Sequence, residues 1–539
     1  QYYKPVQGGF HFLFPNTPSE FFDQVKKQRW EYETIDPATG DAWLLMKLNN
    51  FNFDFIERDS FDLGLIEESF RSADIFDKQI SRKLGTLAGT PALFVREKLK
   101  EGDFVNAVYL VKGPEYYVLA RRTKNEADSS FDFANSFGWE PYHYPKANTY
   151  TDTVYRFSVT TPIHPVIDEG IRTIIEKSAE DIANGNNSSG YITYWPKKKP
   201  ALFESDPTGQ MIFVTVQQYP KYFSIKDSAK FWKNEIEEYT GDGDMLITHK
   251  KPVFIPGKRA GYRFTLQDTG SAKTIERMLL LQGNAMYSLV TMSDTLTGTN
   301  GFIDTFFNSF EGMPDDSSQD LYVSKLPLFF DDLFGKDSAL HKKAQQSLTG
   351  VFFGPLGAPL LYEAINRINI TDKDYFDTKV KLIAELGYIK DSIPDYIPGF
   401  LNTIYHNTAD TSLFQNEAVL ALSKLKTKTA YAFLKKIMME DPPIFDQNES
   451  YRTLFNNLND SLALSAGFFP EILQLTTLQD YKEYVTGLLL NMIDSGMLRK
   501  KDYEKSLPSI YIDAKVALRK QQTRDEKIMQ ANKEKEDAS

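Results

Sequence analysis

The strongest constraint on the fold is an internal duplication. The stretch SSFDFANSFGWEP at residues 129–141 returns as NGFIDTFFNSFEGMP at residues 300–314, and the residues ahead of each stretch match in the same order. The first copy carries Gly89 and Ala92, then Gly113, Tyr117 and Leu119, then Phe133, Asn135, Ser136, Phe137 and Pro141. The second carries Gly257 and Ala260, then Gly283, Tyr287 and Leu289, then Phe306, Asn308, Ser309, Phe310 and Pro314. The starts are paired as GFHFLFP at 9–15 with GYITYWP at 190–196. An ordered repeat of this length predicts two copies of one domain.

Periodicity gives each copy its elements. NAVYLVKGPEYYVLARR and RMLLLQGNAMYSLVTM are β-rich runs broken at Gly113 and Gly283, which predicts antiparallel hairpins. WLLMKLNNFNF and MIFVTVQQY read as strands, and RSADIFDKQISRKL and DSAKFWKNEIEEY as helices. The Phe spacing after each hairpin predicts a short closing helix with its aromatic face on the sheet. With 40 Phe and 29 Tyr in 539 residues, the aromatic share favours a large β component. Each copy is expected to be an α+β sandwich, an antiparallel sheet packed against helices.

The Gly-x-x-Ala segment, the Gly–Tyr hairpin and the closing Phe-x-x-Ser-Phe resemble the Mog1/PsbP-like domains over roughly residues 8–145 and 188–315. The resemblance implies binding or accessory modules without catalysis. Asn135 and Ser136, repeated as Asn308 and Ser309, are either a polar site or local backbone caps, and capping is the expected role.

TYTDTVYRFSVTTP at 149–162 alternates as a strand, HPVIDEGIRTIIEKSAEDIANG predicts a helix, and NGNNSSG and DDSSQD mark joints. From about residue 325 the pattern turns helical. Ala344, Leu348 and Val351 recur as Leu382, Leu386 and Ile389, then as Ala418, Leu422 and Leu425, each trio followed by a second apolar stripe. Paired helices at this period predict an α-solenoid. The stretch from Asn416 to Pro443 resembles a HEAT-type repeat, whose usual work is to hold another macromolecule. The expected division is a first sandwich at 1–163, a connecting helix and linker at 164–187, a second sandwich at 188–318, a helical repeat domain at 325–515 and a charged helical tail at 516–539.

Composition excludes several roles. A net charge of −11 argues against general affinity for nucleic acid or anionic membrane. Zero cysteines exclude disulfides, thiolate metal sites, a Cys nucleophile and a lipidated N-terminal Cys. No apolar run is long enough for a membrane-spanning helix. The start Gln1-Tyr2-Tyr3 predicts a processed N-terminus, with a secretory signal removed.

No catalytic constellation stands out. His11, His143, His164, His249, His341 and His406 make no zinc motif, and no phosphate loop, nucleophile elbow or dinucleotide fingerprint occurs. Asp242 and Asp244 are spaced like early calcium ligands without a closing Glu, and a hairpin turn is the expected form. Asp331, Asp332 and Asp337 are expected at helix starts. No cofactor and no metal are expected.

Asp-(Ser/Thr)-aliphatic triplets resemble the O-glycosylation sequon of Bacteroidota envelope proteins. They place candidate acceptors at Thr153, Ser228, Thr295, Ser338, Ser392 and Ser461, although Asp-Ser is also a good helix cap. The expectation is a non-catalytic scaffold of the periplasm or cell envelope, an accessory subunit of a secretion or motility assembly that holds a protein partner on its helical surface. The alternatives are a lipid or glycan carrier using an aromatic-lined sheet, and a hydrolase with a dispersed site.

Overall fold

Gly113 and Gly283 each adopt a left-handed backbone, at φ +54° and +53°, and each closes a two-residue turn between long antiparallel strands. That conformation matches the right-handed twist of the flanking strands and costs a residue with a Cβ. Around these two turns the computed structural model builds two sheets of one design. It describes residues 2–23, 29–153, 155–165, 199–255, 258–296, 298–299, 301–313, 320–389 and 395–536. The chain divides into two compact units, Gln1–Ser324 and Lys325–Ser539.

In the first sandwich the strands are β1 (Tyr2–Tyr3), β2 (Gly9–Leu13), β3 (Ser19–Phe22), β4 (Arg29–Ile35), β5 (Ala42–Asn49), β6 (Phe76–Leu87), β7 (Thr90–Leu99), β8 (Phe104–Lys112), β9 (Glu115–Thr123) and β10 (Gly138–Glu140). The main sheet runs β3-β4-β5-β9-β8-β7-β6, and a small sheet runs β1-β2-β10. Helix α1 (Asp59–Arg71) packs on one face, around Leu63 and Ile66. A 3-10 turn at Asp132–Ser136 and the small sheet close the other, around Phe10, Phe12, Phe133 and Phe137.

The second sandwich repeats this plan. Its strands are β11 (Asn148–Asp152), β12 (Phe157–Thr161), β13 (Lys199–Glu204), β14 (Met211–Gln218), β15 (Leu246–Ile255), β16 (Lys258–Gln267), β17 (Lys273–Gln282), β18 (Ala285–Asp294) and β19 (Glu311–Gly312). The main sheet runs β13-β14-β18-β17-β16-β15 and the small one β11-β12-β19. With β4 set on β13 and β5 on β14 the two orders coincide, and β3 is an extra edge strand of the first copy. Helix α2 (Ser228–Glu237) takes the place of α1, and α3 (Gly301–Ser309) that of the 3-10 turn.

Three expectations need correction. Residues 71–84, expected as helix, instead follow the end of α1 at Arg71, and from Phe76 on they form the edge strand β6. Phe76, Ile80 and Leu84 lie four apart, a spacing that suits a helix turn and a two-residue strand repeat equally, and pairing to β7 decides for the strand. The counterpart of residues 9–13 is 156–160, not 190–196. Gly138 pairs with His11 and Glu311 pairs with Ser158, so Phe10 corresponds to Phe157. Strands β11 and β12 therefore belong to the second sandwich, and the boundary expected at 163 falls between Glu140 and Asn148. The connecting helix from residue 166 on, the joint before 190 and the 190–196 motif lie outside the described residues.

The second unit is a stack of helices: α4 (Leu326–Leu333), α5 (Ser338–Ser347), α6 (Gly354–Arg367), α7 (Tyr375–Gly387), α8 (Tyr396–Asn407), α9 (Ser412–Leu425), α10 (Lys428–Glu440), α11 (Asn448–Asn459), α12 (Leu462–Ser465), α13 (Gln479–Asp494) and α14 (Leu507–Glu536). The first helices of successive pairs pack in a row, α7 on α9, α9 on α11 and α11 on α13, while α8 packs on α10. Every member of the three recurring apolar trios is buried. At Gly387 a Cβ would sit 2.8 Å from the Ala421 Cα, so α7 and α9 touch backbone to backbone there. The architecture is thus α+β, two antiparallel-sheet/helix sandwiches followed by an all-α run of stacked helix pairs. The charged tail is the end of α14, exposed along most of its length.

Candidate functional site

The helical stack leaves an aromatic notch between α6 and α8. Leu356, Pro359 and Tyr362 follow at three-residue steps on α6, and Tyr396, Phe400 and Thr403 at four- and three-residue steps on α8, so each set shares one face. Pro359, Tyr362, Tyr396, Phe400 and Thr403 line a hollow of 490 Å³. Tyr362 and Phe400 lie 3.8 Å apart between ring centroids, while Leu356 is 90% exposed, Tyr362 41% and Tyr396 45%. Phe400 is buried at the floor of the hollow, and the Tyr362 and Tyr396 rings stay partly exposed beside it.

Helices α7 and α9 bury a titratable cluster of Glu385, Glu417 and Lys424. Burial pushes the Glu385 carboxyl up to about 8; Lys424 opposes the rise and Glu417 adds to it. Glu417 is also raised by burial, with Lys424 Nζ 3.8 Å from its Oε1 and lying over the Tyr388 ring.

A second hollow, of 730 Å³, lies in the second sandwich between β15–β18 and α3. Arg263 on β16 reaches Glu276 Oε2 at 3.7 Å and Asp304 Oδ1 at 3.4 Å, and its guanidinium lies 4.9 Å from the Phe307 ring centroid. Thr265 donates to Glu276 Oε1 at 2.7 Å and Thr299 to Asp304 Oδ1 at 2.7 Å. Met278, Phe254 and Phe310 supply apolar wall. The charges are held by one another, an arrangement suited to recognition through hydrogen bonds.

The two sandwiches meet across a buried polar seam. Lys47 donates to the Thr208 carbonyl at 2.6 Å and to Tyr142 Oη at 2.6 Å, and lies 3.4 Å from Glu115. Gln210 and Tyr142 donate to Glu115 as well. Burial alone would raise the Glu115 carboxyl, yet Lys47, Lys112 and these donors hold it below its ordinary range. Further along, Lys273 of the second sandwich pairs with Asp62 and donates to Tyr116, while Asp59 accepts from Ser271 Oγ and Ala272 N, each at 2.9 Å. No motif announced these residues. They are scattered in sequence, and only the repeated fold brings them together.

The residues singled out from sequence mostly serve the fold. Ser136 Oγ accepts from Leu13 N at 3.2 Å, and Ser309 Oγ from Thr160 N at 2.9 Å, so both repeated serines pin the short strand that closes their sandwich. Asn135 donates to Asp132, and Asn308 lines the cleft. Among the triplet motifs, Asp227 and Asp337 cap α2 and α5, Asp152 and Asp294 accept from Tyr155 N and Leu296 N in tight turns, and Asp460 bridges to Lys426. Thr153, Thr295 and Ser338 are exposed, Ser228 and Ser461 half-buried, and Ser392 lies outside the described residues.

Residues 240–245, expected as a hairpin turn, instead continue a 3-10 turn that follows α2 at Glu238–Gly243. Asp331 and Asp332 sit at the end of α4 rather than at a helix start, because Pro327 already occupies its first turn. His11 bonds Glu140 and His341 the Leu333 carbonyl. Among the described residues no group of three or more His, Asp or Glu is placed to hold a metal ion, and no helix is long and apolar enough to cross a membrane.

No family model matches the chain, and no curated protein matches it. A structural match is the immunity protein TplEi of the type VI secretion system of Pseudomonas aeruginosa, solved with an "L" peptide. It is 11% identical, the alignment covers 58% of this chain and 98% of that one, and its TM-score of 0.15 is too low to bear on fold or function.

Proposed function

We propose that the chain is a non-catalytic interaction protein of the periplasm or cell envelope, an accessory subunit of a larger assembly such as secretion or motility machinery. The observation that carries this reading is the exposed aromatic notch on α6 and α8, formed by Pro359, Tyr362, Tyr396 and Phe400. Aromatic anchors in a shallow pocket are what a protein partner buries at the centre of an interface. The matched strand orders of the two sandwiches support the likeness to Mog1/PsbP-like accessory modules, and the stacked helix pairs support the likeness to HEAT-type scaffolds. An envelope location is supported by the lack of thiols and by the exposed acceptors at Thr153, Thr295 and Ser338.

The test is a native pull-down from an envelope fraction with the full chain and with a Tyr362→Ala/Tyr396→Ala variant, read by mass spectrometry. A stoichiometric companion that the wild type retains and the variant loses, at unchanged melting temperature, supports the proposal. A wild-type chain recovered alone contradicts it.

A further inference from the structure

We infer that the cleft of the second sandwich is a binding site for a neutral oligosaccharide. The argument starts from the duplication, because the same place in the first sandwich is sealed. There Phe94 packs against Phe131 at 5.4 Å, Asn106 donates to the carbonyls of Asp128 and Ser130 at 3.1 Å each, and Arg121 pairs with Asp128. Three side chains of the sheet thus strap segment 128–131 down over it. Strand register puts Arg263 where the first copy has Phe94, Glu276 where it has Asn106, and Thr291 where it has Arg121. All three strapping groups are replaced together, and the second copy holds a 730 Å³ cleft at that place, within the range of small-ligand sites.

The lining selects the ligand. Arg263 is already shared between Glu276 and Asp304, so a charged ligand would have to displace an internal ion pair and leave one partner unmatched in a part-buried setting, which is costly. Neutral hydroxyls can add to the same groups, since each carboxylate keeps unused lone pairs and the guanidinium has N–H donors to share. The Phe254 ring at the mouth, 66% exposed, offers a flat apolar face for the C–H side of a sugar ring. A lipid chain would bury this charged floor against hydrocarbon. An extended peptide adding to the outer edge of β15 would meet Pro252, which has no N–H, and two register irregularities.

The experiment is isothermal titration calorimetry of the full chain with cellobiose, maltose and N,N′-diacetylchitobiose, beside glucuronic acid and a zwitterionic short-chain phospholipid. At least one neutral disaccharide should bind in the micromolar to low-millimolar range. Glu276→Gln and Phe254→Ala should each weaken it by about 10-fold or more. Phe254 is exposed, so its variant keeps the fold if Glu276→Gln does not. The Tyr362→Ala/Tyr396→Ala variant should bind sugar normally, which separates this site from the partner surface. No binding by any neutral probe, stronger binding of the acid or lipid, or unchanged affinity in Phe254→Ala overturns the inference.

Discussion

Tyr117 and Phe137 meet edge to face with ring centroids 5.7 Å apart and planes at 62°, and Tyr287 and Phe310, at the matching places of the second copy, meet at 5.5 Å and 64°. A third ring completes each set, with Phe10 stacked on Phe137 and Phe157 stacked on Phe310. The duplication therefore extends from strand order down to side-chain geometry. Where the copies part, at Phe94 against Arg263 and Asn106 against Glu276, one is sealed and the other holds a cleft.

The repeated serines should differ in weight. Ser309→Ala leaves the part-buried Thr160 N–H without its acceptor and should cost about 1–2 kcal/mol, whereas water can reach the Leu13 N–H and Ser136→Ala should cost under about 1 kcal/mol. Urea denaturation of both variants checks the order, and faster amide exchange at Thr160 should accompany the first.

The seam between the sandwiches should behave as a buried ion pair. Lys273→Met strands the Asp62 carboxylate and should cost about 3–5 kcal/mol. Adding Asp62→Leu should recover most of that loss, because the pair's desolvation penalty disappears with both charges. Chemical denaturation of the two single variants and the double variant measures it.

Two carboxyls should give opposite pH dependence. Glu115 is held below its ordinary range, so its contribution is present above about pH 4.3 and is lost as pH falls through its folded value. Glu385 is raised to about 8, so the folded helical unit keeps a proton that the unfolded chain has released above about pH 4.3. Its stability therefore falls as pH rises through that window. Glu385→Gln should be more stable than wild type by up to roughly 5 kcal/mol at pH 9 and equal to it near pH 4, read from thermal melts across that range.

How much of this was legible in the sequence varies with how local the signal is. Gly113 and Gly283 announced their hairpins because a two-residue turn needs their backbone freedom, and the solenoid trios recur on the buried face of consecutive helices. The strand at 76–87 was misread because four-residue spacing does not separate helix from strand. The true partner of residues 9–13 was missed because an early Gly–aromatic phrase at 190–196 resembled it more than RFSVT at 156–160, whose identity rests on pairing with 311–312. Lys47, Asp62, Glu115 and Lys273 carried no signal at all, since their meaning lies in contacts between residues more than 60 positions apart.

The account stands on one fold built twice, and double-mutant cycles on the two ring pairs test it most directly. Tyr117→Leu with Phe137→Leu, and Tyr287→Leu with Phe310→Leu, should each give a coupling energy of about 0.5–1.5 kcal/mol, alike within about 0.5 kcal/mol. Coupling in one pair and none in the other would contradict it.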